Sequence, residues 1–253
     1  MAEPSIFPQH MNPDPTPELD REVAFFLKWG YLVVEDAVTM GQVETIRAAL
    51  DEAFERQETS EHKDGQFIHQ LLEEDERFSF LLDNPPVITR TKAILGNCLQ
   101  LHSATARVTL PGAVDQGWHR DGPWPMDPAS TPYGSLPGQI NCGYFLDELT
   151  ADNGPIAIVP GSQRALFRPP DGFPRFPDEQ LLLAKPGQAV MFDGWLYHRG
   201  VANNSDQRRR VCLMCYQNAW MKSREPFDGP RVTALRENGT PEQKLLLGAV
   251  EKW

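Results

Sequence analysis

Two histidines and one aspartate in this 253-residue chain have the types and spacing of a metal-binding set. His119 and Asp121 are separated by one residue, and His198 follows much further along. On an extended strand, residues i and i+2 project from the same face, so His119 and Asp121 can bind one ion while Arg120 points away. Three such ligands on one face of an octahedral metal leave three positions open, as in non-haem Fe(II) oxygenases. The spacing therefore predicts a metal site formed by His119, Asp121 and His198.

The His-x-Asp triplet alone also has a structural interpretation. Such triplets arise often by chance, and a capped turn beside a hydrogen-bonded histidine would explain this one without a metal. Neutral imidazole and carboxylate suit Fe(II), but the same residues could bind Zn²⁺. The metal site becomes the favoured interpretation because His198 and a group of arginines lie further along the chain.

Arg208, Arg209 and Arg210 follow His198 in a segment that is typical of a β-strand. A guanidinium can bind a dicarboxylate through a two-pronged salt bridge. On a strand, Arg209 shares a face with every second residue as far as Cys215, and its two neighbours share the other face. Register predictions slip easily by one residue, and all three arginines could also be solvated surface charges.

Composition and charge limit the class of protein. The net charge is −11, which argues against a nucleic-acid surface because phosphate binding needs a concentrated positive field. No apolar stretch has the length of a membrane span, and residues 1–4 lack the character of a signal peptide. Four cysteines without a secretion signal indicate free thiols in a reducing cytoplasm. We therefore expect a cytoplasmic protein whose partner is a small molecule.

The elements that must position these residues fall into two parts. Five prolines predict an extended arm over residues 1–17. We expect a single domain over residues 18–253, with a helical layer at about 18–98, a β-rich core at about 100–220 and a C-terminal tail at about 221–253. Helices followed by many short strands indicate a helical layer packed on a β-barrel or sandwich. A proline-rich loop over residues 122–138 is expected to cover the site as a lid.

The predicted elements have the following bounds. Helices are expected at 18–29, 41–57, 71–82 and 86–95, a loop at 58–66, and strands at 31–34, 104–110, 139–146, 156–159, 189–192 and 209–217.

The chain resembles the phytanoyl-CoA dioxygenase family of Fe(II)- and 2-oxoglutarate-dependent oxygenases over most of its length. The motifs that carry the resemblance include Trp118-His119-Arg120-Asp121-Gly122, Phe145-Leu146-Asp147-Glu148 and Pro160-Gly161-Ser162-Gln163. The resemblance implies a mainly β fold with α-helices, in which a double-stranded β-helix (jelly-roll) core is flanked by N-terminal helices. It also implies one Fe(II), 2-oxoglutarate as cosubstrate and dioxygen.

The same resemblance implies roles for individual residues. His119, Asp121 and His198 would hold the iron, and Arg209, eleven residues beyond the distal histidine, would bind the distal carboxylate of 2-oxoglutarate. Three further candidates for contacts with the cosubstrate are Gln116, Asn141 and Arg107, although buried amides more often satisfy backbone groups.

The expected reaction is the hydroxylation of an unactivated C–H bond of a small metabolite, with release of succinate and CO₂. The carboxylate of Asp121 favours hydroxylation because related halogenases lack it; desaturation and ring formation remain open. Two other classes are a metal-dependent jelly-roll hydrolase or isomerase that does not use dioxygen, and a catalytically silent binding protein. An acyl-CoA substrate is not implied.

Overall fold

A computed structural model describes residues 13–56, 61–62, 65–122, 137–164 and 174–248. Most of the expected N-terminal arm, residues 1–12, lies outside the described residues. Residues 123–136, which make up nearly all of the expected lid, lie outside them as well.

Helices precede and follow the β-rich core. They are α1 (Pro17–Trp29), α2 (Met40–Arg56), α3 (Leu71–Glu74), α4 (Pro85–Leu95), α5 (Pro230–Asn238) and α6 (Pro241–Leu246). Helix α1 begins where the Thr16 side chain accepts a hydrogen bond from the Leu19 amide at 3.1 Å, and it ends at Gly30, whose positive φ of 81° suits glycine. The buried faces of α1, α2 and α4 pack against the large sheet in one apolar core.

The large sheet is antiparallel throughout and has the order β1-β8-β5-β10-β4-β3-β2. Its strands are β1 (Tyr31–Val34), β2 (Glu61–His62), β3 (Gly65–Ile68), β4 (Leu99–Thr109), β5 (Gln139–Phe145), β8 (Ala189–Asp193) and β10 (Arg209–Asn218). One face packs on the helices. The other contributes Phe145, Val190 and Val211 to a second apolar cluster, which also contains Ile158 of the small sheet.

The small sheet is also antiparallel, with the order β7-β6-β9. Its strands are β6 (Ile156–Ile158), β7 (Gln180–Leu182) and β9 (His198–Gly200). A cavity lies between the two sheets and is lined by residues of both. This architecture confirms the expected jelly-roll core with N-terminal helices.

Several predicted boundaries were wrong. The polar segment 58–66, predicted as a loop, contains β2 and the start of β3, because β3 pairs with β4 and β2 pairs with β3. The helix predicted over 71–82 is α3 followed by a 3-10 helix at Glu76–Leu81, where Asp75 caps a new turn through the Arg77 amide. Strands β7 and β9 have three residues each, too short for a periodic signal. None of the described helices is long and apolar enough to cross a bilayer.

Candidate metal centre

The structure brings His119, Asp121 and His198 together in the wall of the cavity. The two histidines form an isolated antiparallel bridge, in which the backbone N–H of each donates to the carbonyl of the other at 3.0 Å. The Asp121 amide donates to the Gly194 carbonyl at 2.9 Å. His119 and Asp121 were expected on a regular strand, but the structure has only an isolated β-bridge at His119. The backbone there is extended, so the two side chains still project from the same face.

The potential ligand atoms of these three side chains face one another. Asp121 Oδ1 lies 3.7 Å from His119 Nε2, and Asp121 Oδ2 lies 3.3 Å from His198 Nε2. All three ligand atoms fall within 4.8 Å of one another. In each ring the other nitrogen is held by a backbone carbonyl: His119 Nδ1 by Gly117 at 2.9 Å and His198 Nδ1 by Leu196 at 3.0 Å. Donation from Nδ1 leaves a lone pair on Nε2, the tautomer that a metal requires.

Charges within the cluster hold the aspartate ionised. Burial acts in the opposite direction, but the charge and hydrogen bond of His198, and then His119, keep the pKa of Asp121 well below its usual range. Burial, and then repulsion from His198, lowers the pKa of His119. Burial would also lower the pKa of His198, but the Asp121 carboxylate raises it. The cluster is therefore a carboxylate with two imidazoles directed at it.

Asn141 on β5 orients this carboxylate. Its Nδ2 donates to Asp121 Oδ2 at 2.9 Å, and Asn141 also lines the cavity. We expected Asn141 to contact 2-oxoglutarate. In the structure its amide contacts a potential metal ligand instead, and the contact with the cosubstrate stays a prediction.

The cavity beside the cluster has a volume of about 250 Å³. It extends along the face of β10 that carries Arg209, Val211, Leu213 and Cys215. Its other lining residues are Phe67, His69, His102, Ser103, Thr105, Arg107, Gln116, Gln139, Ile156, Phe192, Gly200 and Arg224.

Arg209 lies at the end of the cavity away from Cys215 and is only 3% exposed. Its Nε and Nη2 donate to the Gly154 carbonyl at 3.1 and 2.8 Å. No carboxylate within the described part of the chain forms an ion pair with it. Burial, and then repulsion from Arg107, lowers the pKa of Arg209 to about 9. Because a guanidinium has five N–H groups, the Nη1–Nη2 edge keeps donors for an anionic ligand.

The two neighbouring arginines are engaged elsewhere. Arg208 pairs with Asp51 at 3.1 Å, and Arg210 pairs with Asp51 and Asp147, each at 2.8 Å. They lie on the helix-facing side of the strand, and their ion pairs join β10 to α2 and to the segment after β5. Arg209 therefore lines the cavity, whereas Arg208 and Arg210 form ion pairs with carboxylates outside it.

Arg107 and Gln116, which were also predicted to contact 2-oxoglutarate, line the same cavity. Arg107 on β4 pairs in register with Val211, two residues from Arg209, and its guanidinium lies 5.0 Å from the centre of the Phe67 ring. Gln116 is tied to the small sheet, because its Oε1 accepts from the Gly200 amide at 2.9 Å. This contact agrees with the alternative that the Gln116 amide forms a hydrogen bond with a backbone group. For both Arg107 and Gln116, a contact with 2-oxoglutarate stays a prediction.

Sequence reasoning missed His69, His102 and Arg224 as cavity residues. His102 lies at a bulge in β4, where the partners of Cys215 and Tyr216 step from Ser103 to Leu101. A bulge redirects a side chain without any periodic sign in the sequence. Arg224 lies in an irregular segment after β10, and the sequence of that segment has no periodic pattern that would place Arg224 at the cavity.

The comparisons with known proteins agree with this geometry. Residues 26–211 match the family model described as phytanoyl-CoA dioxygenase. "Dioxygenase hkm4" of Aspergillus hancockii is 39% identical over 105 residues, which are 40% of this chain and 32% of that protein. "Dioxygenase af480" of Aspergillus fumigatus is 27% identical over 192 residues, which are 71% of this chain and 57% of that protein. The aligned regions thus span about a third and just over half of the lengths of these two relatives.

A solved structure shares the fold. HygX from Streptomyces hygroscopicus, crystallised with nickel, 2-oxoglutarate and hygromycin B, superposes with a TM-score of 0.68 at 16% identity, covering 83% of this chain and 90% of that one. At that identity the likeness concerns the fold alone. The family model, in contrast, covers nearly three quarters of the chain and includes all three residues of the His-Asp-His cluster as well as Arg209. The chain belongs to the phytanoyl-CoA dioxygenase family.

Proposed function

We propose that the protein is an Fe(II)- and 2-oxoglutarate-dependent oxygenase that hydroxylates an unactivated C–H bond of a small metabolite. The observation that carries this proposal is the pairing of a His-Asp-His cluster with a buried arginine in one cavity. A jelly-roll hydrolase or isomerase would need the cluster but not Arg209. A silent binding protein would need neither.

The residues present fit a divalent transition metal. His119, Asp121 and His198 direct two imidazole nitrogens and one carboxylate at the same point, with both tautomers set by backbone carbonyls. This donor set suits Fe(II). The chemistry supplied by bound Fe(II) would be the oxidative decarboxylation of 2-oxoglutarate to succinate and CO₂, coupled to oxidation of the substrate by dioxygen.

Arg209 would bind the distal carboxylate of 2-oxoglutarate. Its guanidinium is buried and lies in the cavity that the metal cluster also lines. A buried cation without a carboxylate partner in the described chain is costly until an anion compensates it. Arg107 on β4, two register positions away, would add to the same positive field.

The remaining residues of the chain would orient the reactants and exclude water. Asn141 holds the Asp121 carboxylate, and Phe192 packs against the His198 ring with 4.7 Å between ring centres. Ile156, Val211 and Leu213 give the cavity apolar walls between its polar ends. Such a cavity suits a small organic substrate.

The names of the relatives support this assignment. Both Aspergillus relatives are named dioxygenases, and HygX was crystallised with a divalent metal, 2-oxoglutarate and a small-molecule antibiotic. Hydroxylation is favoured over halogenation because Asp121 occupies the ligand position that halogenases leave for chloride.

Turnover of the cosubstrate tests the proposal. Purified protein with Fe(II), 2-oxoglutarate and dioxygen should release succinate slowly, and a pool of small metabolites should contain a compound that accelerates this release and gains one oxygen atom. The His198→Ala variant should release none. Succinate release that persists in His198→Ala would refute the site, and a hydrolysed or isomerised product would support the rival class.

A further inference from the structure

The proposed roles of the metal cluster and of Arg209 leave one cationic group of the cavity unused. Arg224 lines the cavity, and its Nη2 donates to Ser103 Oγ at 2.9 Å. Within the described residues its guanidinium has no carboxylate partner. An arginine that is oriented by a hydroxyl group, with donors left over, is suited to binding an anion.

The fold places Arg224 there through the bulge in β4. The His102 carbonyl at the bulge accepts from the backbone N–H groups of Arg224 and Glu225 at 3.1 and 3.3 Å. The buried carboxylate of Glu225 then accepts from the Gln70 and Ala104 amides at 2.8 and 2.7 Å. The segment after β10 is thus fixed to β4, so the Arg224 side chain projects from a rigid base.

Arg224 and Arg209 lie at opposite ends of the cavity. Arg224 contacts Ser103, which pairs in register with Cys215, whereas Arg209 lies six residues earlier on the same strand. Six residues of a β-strand span about 20 Å. The pairing partner of Cys215 on β5 is Asn141, which contacts Asp121. The metal cluster is therefore close to the Arg224 end, and 2-oxoglutarate bound between the metal and Arg209 would leave the Arg224 end for the substrate.

The charges of the cavity favour an anionic substrate. Its lining contains three arginines (Arg107, Arg209 and Arg224) and one acidic residue, Asp121, which is an excess of two positive charges. Fe(II) and the 2-oxoglutarate dianion would cancel each other, so the excess would persist in the loaded enzyme. Burial, and then repulsion from Arg224, lowers the pKa of His102, which disfavours the charged form of this neighbour. This positive cavity lies in a chain of net charge −11.

We propose that Arg224 is a specificity residue that binds a carboxylate group of the substrate and so directs the rest of that molecule toward the metal. A single guanidinium with one hydroxyl beside it matches a monoanionic carboxylate, whereas a phosphate dianion would call for more donors. This inference rests on the proposed oxygenase function, because it assigns the remaining space to a substrate.

Calorimetry on the oxygen-free enzyme loaded with Fe(II) and 2-oxoglutarate tests the proposal. The probes are cyclohexanecarboxylate, hexanoate and benzoate, each compared with its neutral carboxamide. The native enzyme should bind the acids at least ten-fold more tightly than the amides. Arg224→Gln should abolish this preference, and Arg224→Lys should keep part of it, because an ammonium retains the charge without the planar fork.

Lys222→Gln is the matched control, because it removes the same charge from an exposed side chain of the same segment that does not line the cavity. It should keep the preference for acids. A native enzyme that binds acids and amides equally, or an Arg224→Gln variant that still prefers acids, would overturn the proposal.

Measuring the affinity for 2-oxoglutarate distinguishes a failure of the role of Arg224 from a failure of the proposed oxygenase function. If 2-oxoglutarate binds normally and the preference for acids is absent, only the role of Arg224 fails. If 2-oxoglutarate does not bind to the native enzyme, the proposed function fails. The comparison of acids with amides is then made without 2-oxoglutarate and still decides whether Arg224 binds carboxylates.

Discussion

At the scale of single residues, the proposed metal site depends on groups that do not themselves face the metal. Backbone carbonyls hold Nδ1 of His119 and His198, and Asn141 holds the Asp121 carboxylate. Partners of this kind fix the orientation and protonation of metal ligands. The carbonyls cannot be removed by a side-chain substitution, but the amide of Asn141 can.

Asn141→Ala should therefore weaken Fe(II) binding by roughly ten- to a hundred-fold, because the Asp121 carboxylate loses its orienting donor. Anaerobic titration of the metal-free protein with Fe(II) measures this. Asn204→Ala, at an exposed position, is the control and should bind Fe(II) as the native protein does. Unchanged affinity in Asn141→Ala would show that the hydrogen bond does not support the site.

Arg209→Ala should raise the dissociation constant for 2-oxoglutarate by about thirty-fold or more, because a desolvated charge pair contributes about 2–5 kcal/mol when one partner is removed. Equilibrium binding to the Fe(II)-loaded, oxygen-free protein measures this. Arg208→Ala is the matched control, since its side chain pairs with Asp51 and not with the cavity. If Arg209→Ala and Arg107→Ala both bind 2-oxoglutarate normally, the assigned cosubstrate site is wrong.

At the scale of elements, the segment after β10 is fixed to the sheet by one buried carboxylate. Glu225 accepts two backbone N–H groups, from Gln70 before α3 and from Ala104 on β4. Both donors would be left without a partner if that carboxylate were removed, and hydrogen bonds to charged groups contribute about 1.5–3 kcal/mol each.

Glu225→Ala should lower the free energy of unfolding by about 2–4 kcal/mol, measured by denaturant titration of the metal-free protein. Glu237→Ala, an exposed glutamate on α5, should change it by less than about 0.5 kcal/mol. Equal stability of the two variants would contradict the anchoring role of Glu225.

The elements also show what the sequence could predict. Helices α1 and α4 were predicted to within two residues because their buried residues recur at helical spacing, and strands β5 and β10 because they are long segments with β-branched or aromatic residues. Strand β9 was missed because three residues are too few to show a period.

The residues of the candidate site also fall into those that the sequence could predict and those that it could not. His119, Asp121 and His198 could be selected because their types and spacing carry chemical information, and Arg209 could be selected among three consecutive arginines because of the family resemblance. His102 and Arg224 could not, because a bulge and an irregular segment bring them to the cavity. Tertiary contacts of this kind leave no local pattern in the sequence.

At the scale of the whole molecule, the residues after the core pack back onto it. Val232 of α5 and Leu246 of α6 belong to the same apolar core as Phe26 of α1 and Ala106 of β4. We therefore propose that residues 18–253 act as one domain, in which ligand binding in the cavity would stabilise the fold as a unit.

Anion binding at Arg209 should be visible in thermal unfolding. At a concentration a hundred times its dissociation constant, 2-oxoglutarate would contribute about 2.7 kcal/mol. For a chain of this size that corresponds to a rise in Tm of roughly 5–10 °C, measured on the metal-loaded, oxygen-free protein. Arg209→Ala at the same ligand concentration should show a much smaller rise, and an equal rise in both proteins would place 2-oxoglutarate elsewhere.

We propose that one cavity holds Fe(II) on His119, Asp121 and His198 together with 2-oxoglutarate on Arg209. An oxygen-free optical titration of the protein with Fe(II) and then 2-oxoglutarate tests whether both bind in this way. We predict a weak visible charge-transfer band that appears only when both are present, saturates at one equivalent of iron and is absent in His198→Ala. A native protein that binds Fe(II) but develops no band with 2-oxoglutarate, or a band that persists in His198→Ala, would contradict the claim.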